Sequence, residues 1–189
     1  KRHWILDDNI RRFRHWHHNK REVVDDGRIF VELENIVDRY ANVPMAGMHY
    51  TMFAFRRPTA KPINKPFILN TRVYSCILLS NGVSHRWRGR YNEDTDLSLR
   101  FLKDGYCTML FYAFVCDKQQ TMTMKGGNTE SLYAKTTEMD GRLEMAKSLQ
   151  AQHPDIVRIK RRWGRWQHVV DYRPFKNNRL LKRNPQEQQ

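Results

Sequence analysis

The chain has 189 residues and a mass of 22.8 kDa, which suits one domain with a real hydrophobic core. Hydrophobic residues make up 40% at a mean hydropathy of −0.80, and no apolar run is long enough for a helix to span a bilayer. With 34 Lys and Arg against 20 Asp and Glu, the formal charge is +14 and the pI near 10.0, so the expected partner is an anion.

The first element is a short strand, Trp4-Ile5-Leu6, that ends abruptly in Asp7-Asp8-Asn9. A buried strand leaving a sheet at a ligand edge has this form, and strand-end carboxylates suit a hard cation such as Mg²⁺ or Mn²⁺ shared with substrate phosphates. Arg11, Arg12, Arg14, Lys20 and Arg21 follow, and His15-Trp16-His17-His18 between them reads as a polar surface loop. Asp25-Asp26-Gly27 is a turn, after which Ile29, Phe30, Leu33, Ile36, Val37 and Tyr40 mark one face of a helix. Met45 to Phe55 is an extended apolar segment, closed by Arg56-Arg57-Pro58 and a loop with Pro62 and Pro66. Phe67–Asn70 and Val73–Ser80 read as strands before the tight-turn pair Asn81-Gly82. Arg86, Arg88 and Arg90 beside Trp87 suit a phosphate-rich ligand or balance the acids that come next.

Those acids are Glu93, Asp94 and Asp96, set before Leu97, Phe101 and Leu102 at helical spacing and the stop Gly105. Thr95 or Asp96 is the expected N-cap, and the positive helix end would hold Glu93 and Asp94 facing a cleft. Tyr106 to Cys116 is the strongest strand, apolar enough to be covered on both faces. Gly126-Gly127-Asn128-Thr129 is a loop, Leu143, Ala146 and Leu149 mark a helix ending before Pro154, and Val157–Trp163 with Trp166–Tyr172 form a hairpin across Gly164. A second basic cluster includes Arg161, Arg162 and Arg165, interleaved with Trp163 and Trp166, a mixture that can neutralise phosphates and stack on exposed bases. Asn184–Gln189 is a polar tail. Cys76, Cys107 and Cys116 form no CxxC pair and no leader pattern opens the sequence, so a reducing cytoplasm is the expected setting.

Three motifs carry a resemblance. Leu6-Asp7-Asp8-Asn9 resembles the Asp-x-Asp metal motif of GT-A nucleotide-sugar glycosyltransferases, with Asn9 in place of the final Asp; Asn92-Glu93-Asp94 resembles their x-Glu-Asp motif; and Trp166-Gln167-His168-Val169-Val170 resembles the late strand that supplies a metal-binding His. More narrowly, Arg90 to Arg100, Lys103 to Cys107, Thr121 to Met124 and Gly126 to Thr129 resemble the TET/JBP-associated glycosyltransferases of bacteriophages, which act on hydroxymethylated pyrimidines in DNA.

The resemblance implies a GT-A-like α/β fold, a mixed sheet flanked by helices, over residues 1–183, without the N-terminal β/α units that bind the nucleotide base. It also implies Mg²⁺ or Mn²⁺ held by Asp7, Asp8 and His168, and a nucleoside-diphosphate sugar donor, UDP-sugar first. Asp94 would be the catalytic base with Glu93 in support, while Asn9, His49, Tyr50 and Arg90 would lie at the donor and acceptor. The acceptor would be modified DNA, met in the cytoplasm of a phage-infected host. The competing expectations are a transferase acting on a lipid, glycan or protein, and a nucleic-acid-binding module without turnover.

Overall fold

A computed structural model describes residues 1–17, 20–54, 66–119 and 140–184. Its centre is a seven-stranded mixed sheet built from β1 (Arg2–Leu6), β2 (Ile10–His17), β3 (Lys20–Val24), β4 (Met45–Tyr50), β5 (Phe67–Leu69), β6 (Cys76–Ser80) and β7 (Thr108–Lys118). The strand order is β1-β6-β4-β7-β2-β3, with β5 pairing a different stretch of β7. Among the described strands only β4 and β7 pair in parallel, with a register shift after Met48↔Phe111. Helices α1 (Arg28–Val37), α2 (Glu93–Lys103) and α3 (Gly141–Gln152) flank this sheet and a separate hairpin of β8 (Val157–Arg162) and β9 (Arg165–Val170). The architecture is the mixed, helix-flanked α/β class that the sequence predicts.

Alternation at period two makes the sheet a middle layer. On β6, Cys76 and Leu78 join the core beneath α1, where Ile29, Leu33 and Val37 pack, while Ile77 and Leu79 join the opposite core with Leu97 and Phe101 of α2. Met109, Leu110 and Phe111 of β7 alternate in the same way, so both faces of that strand are covered. Gly47 of β4 is required by close approach: a Cβ there would collide with the Cys76 carbonyl oxygen and the Val73 side chain. The other side of α2, through Leu99 and Leu102, packs with Leu149 of α3, Val157 of β8 and Phe175 of a short 3₁₀ turn. Helix α2 is therefore buried between sheet and hairpin, and its N-terminus is fixed from both sides.

Several boundaries differ from the sequence reading. His15 and Trp16 lie in β2 rather than a loop, paired with Glu22 and Arg21 of β3. The strand is amphipathic: Phe13 packs on Phe30 at 4.9 Å, whereas the Arg21 guanidinium covers Trp16 at 4.9 Å. Helix α2 starts at Glu93, with Asn92 as N-cap in left-handed conformation at φ 54°, so neither Thr95 nor Asp96 is the cap. The apolar segment from Met45 leaves strand geometry after Tyr50, and Val73–Ser75 precede β6 as irregular chain, Ser75 having φ 62°. Cys107 is buried but lies one residue before β7. The hairpin closes through Trp163 and Gly164, both at positive φ, a two-residue primed turn that suits the strand twist. The Gly126–Thr129 loop, the Arg56–Pro58 stop with Pro62, and the tail beyond Asn184 lie outside the described residues.

Candidate functional site

A cleft of about 510 Å³ opens where the ends of β1, β4 and β7 meet the start of α2. Its lining gathers Asp7, Tyr50, Arg72, Tyr74, Ser75, Trp87, Asn92, Glu93, Asp94 and Lys118. Segments far apart in sequence therefore bring carboxylates, cations and hydroxyls to one concave surface.

Asp94 occupies the first turn of α2 and is partly buried; its Oδ1 accepts from the Thr95 backbone N–H at 2.5 Å and from the Thr95 hydroxyl at 3.1 Å. Ser98 ties this turn to the sheet, donating to the Asp94 carbonyl at 2.8 Å and accepting from the Val73 N–H at 3.0 Å. Burial pushes the Asp94 carboxyl above its usual value of 3.8; Arg72 opposes that rise and Glu93 adds to it. A carboxylate with enhanced proton affinity is suited to general-base work near neutrality. Glu93 is exposed beside it.

Asp96, two residues on, faces away from this cleft. Its carboxylate is buried, receives three hydrogen bonds from Arg88 at 2.8 to 3.1 Å, and lies 2.8 Å from His153 Nε2 at the end of α3. Burial raises its pKa, but these bonds outweigh burial and hold it below 3.8. Of the two roles open to the Arg86–Arg90 run, Arg88 takes charge balance.

Lys118, at the end of β7, closes the opposite side of the cleft. Its ammonium donates to Asp7 Oδ2 at 2.5 Å, to the Ser75 hydroxyl at 3.0 Å and to the Tyr50 hydroxyl at 3.1 Å. Burial disfavours that charge, yet the bonds to Asp7 and Tyr50 prevail and its pKa lies above 10.5. Burial also raises the Tyr50 phenol, which contacts Ser75 by a short hydrogen bond, so a cation faces a neutral phenol at pH 7. Arg72, from the connection between β5 and β6, is the second cation; its guanidinium stacks over Tyr74 at 4.7 Å.

A neighbouring pocket of about 420 Å³ shares Arg72 and Asn92 with the cleft and is otherwise lined by α3, β9 and the residue before the 3₁₀ turn, including Arg142, Arg165, Trp166, Gln167, His168 and Tyr172. Burial lowers His168 to about 4, with Arg72 reinforcing the effect, so its imidazole is neutral at physiological pH. Tyr172 is raised to about 12 by burial, against a smaller opposing effect of Arg72. His49 lines a third cavity with Phe53, Arg72, Tyr74 and Tyr112. Its Nδ1 accepts from the Tyr50 N–H at 2.8 Å and lies 3.1 Å from the Tyr74 hydroxyl, and burial holds the ring near a pKa of about 4.

Among the sequence-predicted residues, Asp7, Tyr50, Glu93 and Asp94 share the main cleft, while His168, Arg165 and Trp166 line the adjoining pocket. Asp8 is exposed on the turn between β1 and β2. Asn9 accepts the Gln119 N–H through its carbonyl at 2.9 Å, and its side-chain oxygen is buried with no partner among the described residues. Arg90 is exposed over Tyr91, at 5.5 Å. Arg161 and Arg162 are exposed on β8 with Trp163, 81% exposed, at the hairpin tip. Sequence reasoning misses Arg72, Tyr74, Ser75 and Lys118, since none belongs to a motif and only the crossing of β4, β6 and β7 brings them together.

The donors offered for a divalent ion fit it poorly. Among the described residues no group of three His, Cys, Asp or Glu side chains is close enough to hold a metal. Asp7 is already paired with an ammonium, Asp8 is exposed on its turn, and His168 lines the adjoining pocket. Also among the described residues, no helix is long and apolar enough to cross a membrane.

A search of curated proteins and a search of solved structures return no match. A family model described as TET-Associated Glycosyltransferase matches residues 1–127, a span that includes the strand-end acids, Arg72, the first turn of α2 and Lys118. The chain therefore belongs to the TET-associated glycosyltransferase family.

Proposed function

We propose that this protein transfers a sugar from a nucleoside-diphosphate sugar, UDP-sugar being the first candidate, to the hydroxyl of a hydroxymethylated pyrimidine in DNA. The observation that carries the reading is Asp94: a carboxyl with raised proton affinity, anchored at a helix start, in a cleft that also holds Arg72 and Lys118. In the reaction the acceptor oxygen forms a bond to the anomeric carbon while the bond from that carbon to the diphosphate breaks, and the diphosphate leaves with the electron pair. The acceptor proton passes to Asp94, and Glu93 orients the hydroxyl. The cations oppose the charge that develops on the leaving group.

The acceptor side of the proposal rests on charge and on the family. A hydroxymethyl group on a pyrimidine lies in the major groove of a duplex, so the enzyme must reach into that groove or extrude the base. The adjoining pocket, with Trp166 to stack and Arg165 in its lining, suits an extruded base; Arg161, Arg162 and Trp163 would grip the flanking strand. The test is mass analysis of hydroxymethylated and unmodified DNA after incubation with a panel of nucleotide sugars. The expected result is a hexose-sized increment on hydroxymethylated DNA alone. Transfer to no DNA under any donor would overturn the reading and return the choice to a lipid, glycan or protein acceptor.

A further inference from the structure

We infer that the Lys118 ammonium is the cation that meets the donor diphosphate in this cleft, in the position for which the sequence suggests a divalent ion held by Asp7, Asp8 and His168. The inference rests on the reading of the cleft as a nucleotide-sugar site and specifies how that site handles phosphate.

Lys118 is built for the task by its surroundings. Its side chain is 14% exposed, held at the end of the central strand by Ser75 and Tyr50, so the charge is presented from a rigid wall. Its third hydrogen bond goes to Asp7, which is 42% exposed. The asymmetry decides which partner yields: a phosphate oxygen can replace Asp7 because that carboxylate can turn into water without becoming a buried unpaired charge. Asp7 then acts as a placeholder that keeps the ammonium charged and aimed in the free protein. A metal bound to Asp7 would instead sit beside an ammonium on the same carboxylate, with like charges opposed. When the sugar–phosphate bond breaks, the leaving diphosphate keeps the electron pair and gains no proton from Lys118, which stabilises it by charge-assisted N–H donation.

The experiment is calorimetric titration of the full chain with UDP and with inorganic pyrophosphate, in excess chelator and in Mn²⁺, for wild type, Lys118→Gln and Asp7→Asn. Wild type should bind both probes in chelator, within about threefold of the affinity in Mn²⁺. Lys118→Gln should lose about 10- to 100-fold for both probes, the scale of one hydrogen bond to a charged group. Asp7→Asn separates the two accounts because they predict opposite signs: removing a competing carboxylate raises affinity, whereas removing a metal ligand lowers it. Circular dichroism of each variant establishes that the fold is retained, and Lys118→Arg, which keeps the charge, should restore most of the binding. Binding abolished by chelator, unchanged affinity in Lys118→Gln, or weakened binding in Asp7→Asn would each overturn the inference. No acceptor is present in these titrations, so a failure to glycosylate DNA would refute the acceptor assignment and leave this result standing.

Discussion

Two carboxylates two residues apart on α2 experience opposite environments. Asp94 faces the cleft, where burial exceeds the help it receives and its proton affinity rises; Asp96 faces α3, where Arg88 and His153 more than offset burial and its proton affinity falls. In sequence they are interchangeable acids in one helical turn. The difference teaches that partners, not position at a helix end, decide whether a buried carboxylate gains or loses proton affinity.

The largest test of the contrast is substitution at the cleft side. Asp94→Asn should reduce transfer by roughly 10²- to 10⁴-fold while donor affinity, measured by titration with UDP, changes little, since a base acts on the acceptor. Stability should not suffer. A carboxyl whose folded pKa lies above its unfolded value contributes stability below the unfolded value, and that contribution is lost as pH rises through the folded value, so removing the charge at pH 7 should leave Tm unchanged or higher.

Asp96→Asn should do the reverse. It leaves His153 buried beside a weakened partner, and a loss of about 3 kcal/mol would lower Tm by roughly 6 to 12 °C. The sign with pH is opposite as well. Because the folded pKa of Asp96 lies below 3.8, its contribution is fully present above that ordinary value and fades as pH falls through the folded one. Wild type and Asp96→Asn should therefore converge in Tm under strong acid, and a constant difference across pH would break the contrast.

A smaller effect is expected at the hairpin arginines, which bond to neither carboxylate. Replacing Arg161, Arg162 and Arg165 together with Ala should weaken DNA binding and reduce the slope of log affinity against log salt by up to about three, read by fluorescence anisotropy over a salt series. Donor hydrolysis without acceptor should persist. Equal loss of both would mean that these arginines support the donor cleft or the fold.

The finest test reads the acid limb of kcat/KM against pH. Arg72 lowers the pKa of Asp94 and Glu93 raises it, so Arg72→Gln should move that limb to higher pH and Glu93→Gln to lower pH. Shifts in the same direction would mean that the limb reports a different group.

Sequence by itself determined the elements whose apolar spacing is regular and buried. Ile29, Leu33 and Val37 announce α1, the apolar run before Cys116 announces β7, and Gly164 between two β-rich stretches announces the β8–β9 hairpin. Glu93 and Asp94 also stand out in the sequence, because acids crowded just ahead of an apolar-periodic segment mark a helix start, where free N–H groups favour negative charge. His15-Trp16 reads wrongly as a loop, since Trp16 stands on the outward face with Arg12 and Arg14 while His15 stands on the inward face with Phe13, so the polar and apolar residues do not alternate cleanly in the sequence. The cap of α2 is misplaced at Thr95 or Asp96 because Asn92, itself a residue that caps helices and tolerates a left-handed backbone, is followed by Asp94, Thr95 and Asp96, which offer the same signal.

Only the tertiary structure decided which charges meet. Lys118 reads as the polar end of a strand and Arg72 as an ordinary connection residue until the sheet order sets β7 between β4 and β2 and brings the β5–β6 connection over the same edge. Electrostatic roles depend on distance and burial through three-dimensional contact, and a chain read in order carries neither. That is why the carboxylates that line the cleft stood out in the sequence, whereas the cations beside them, which would receive the phosphate, did not.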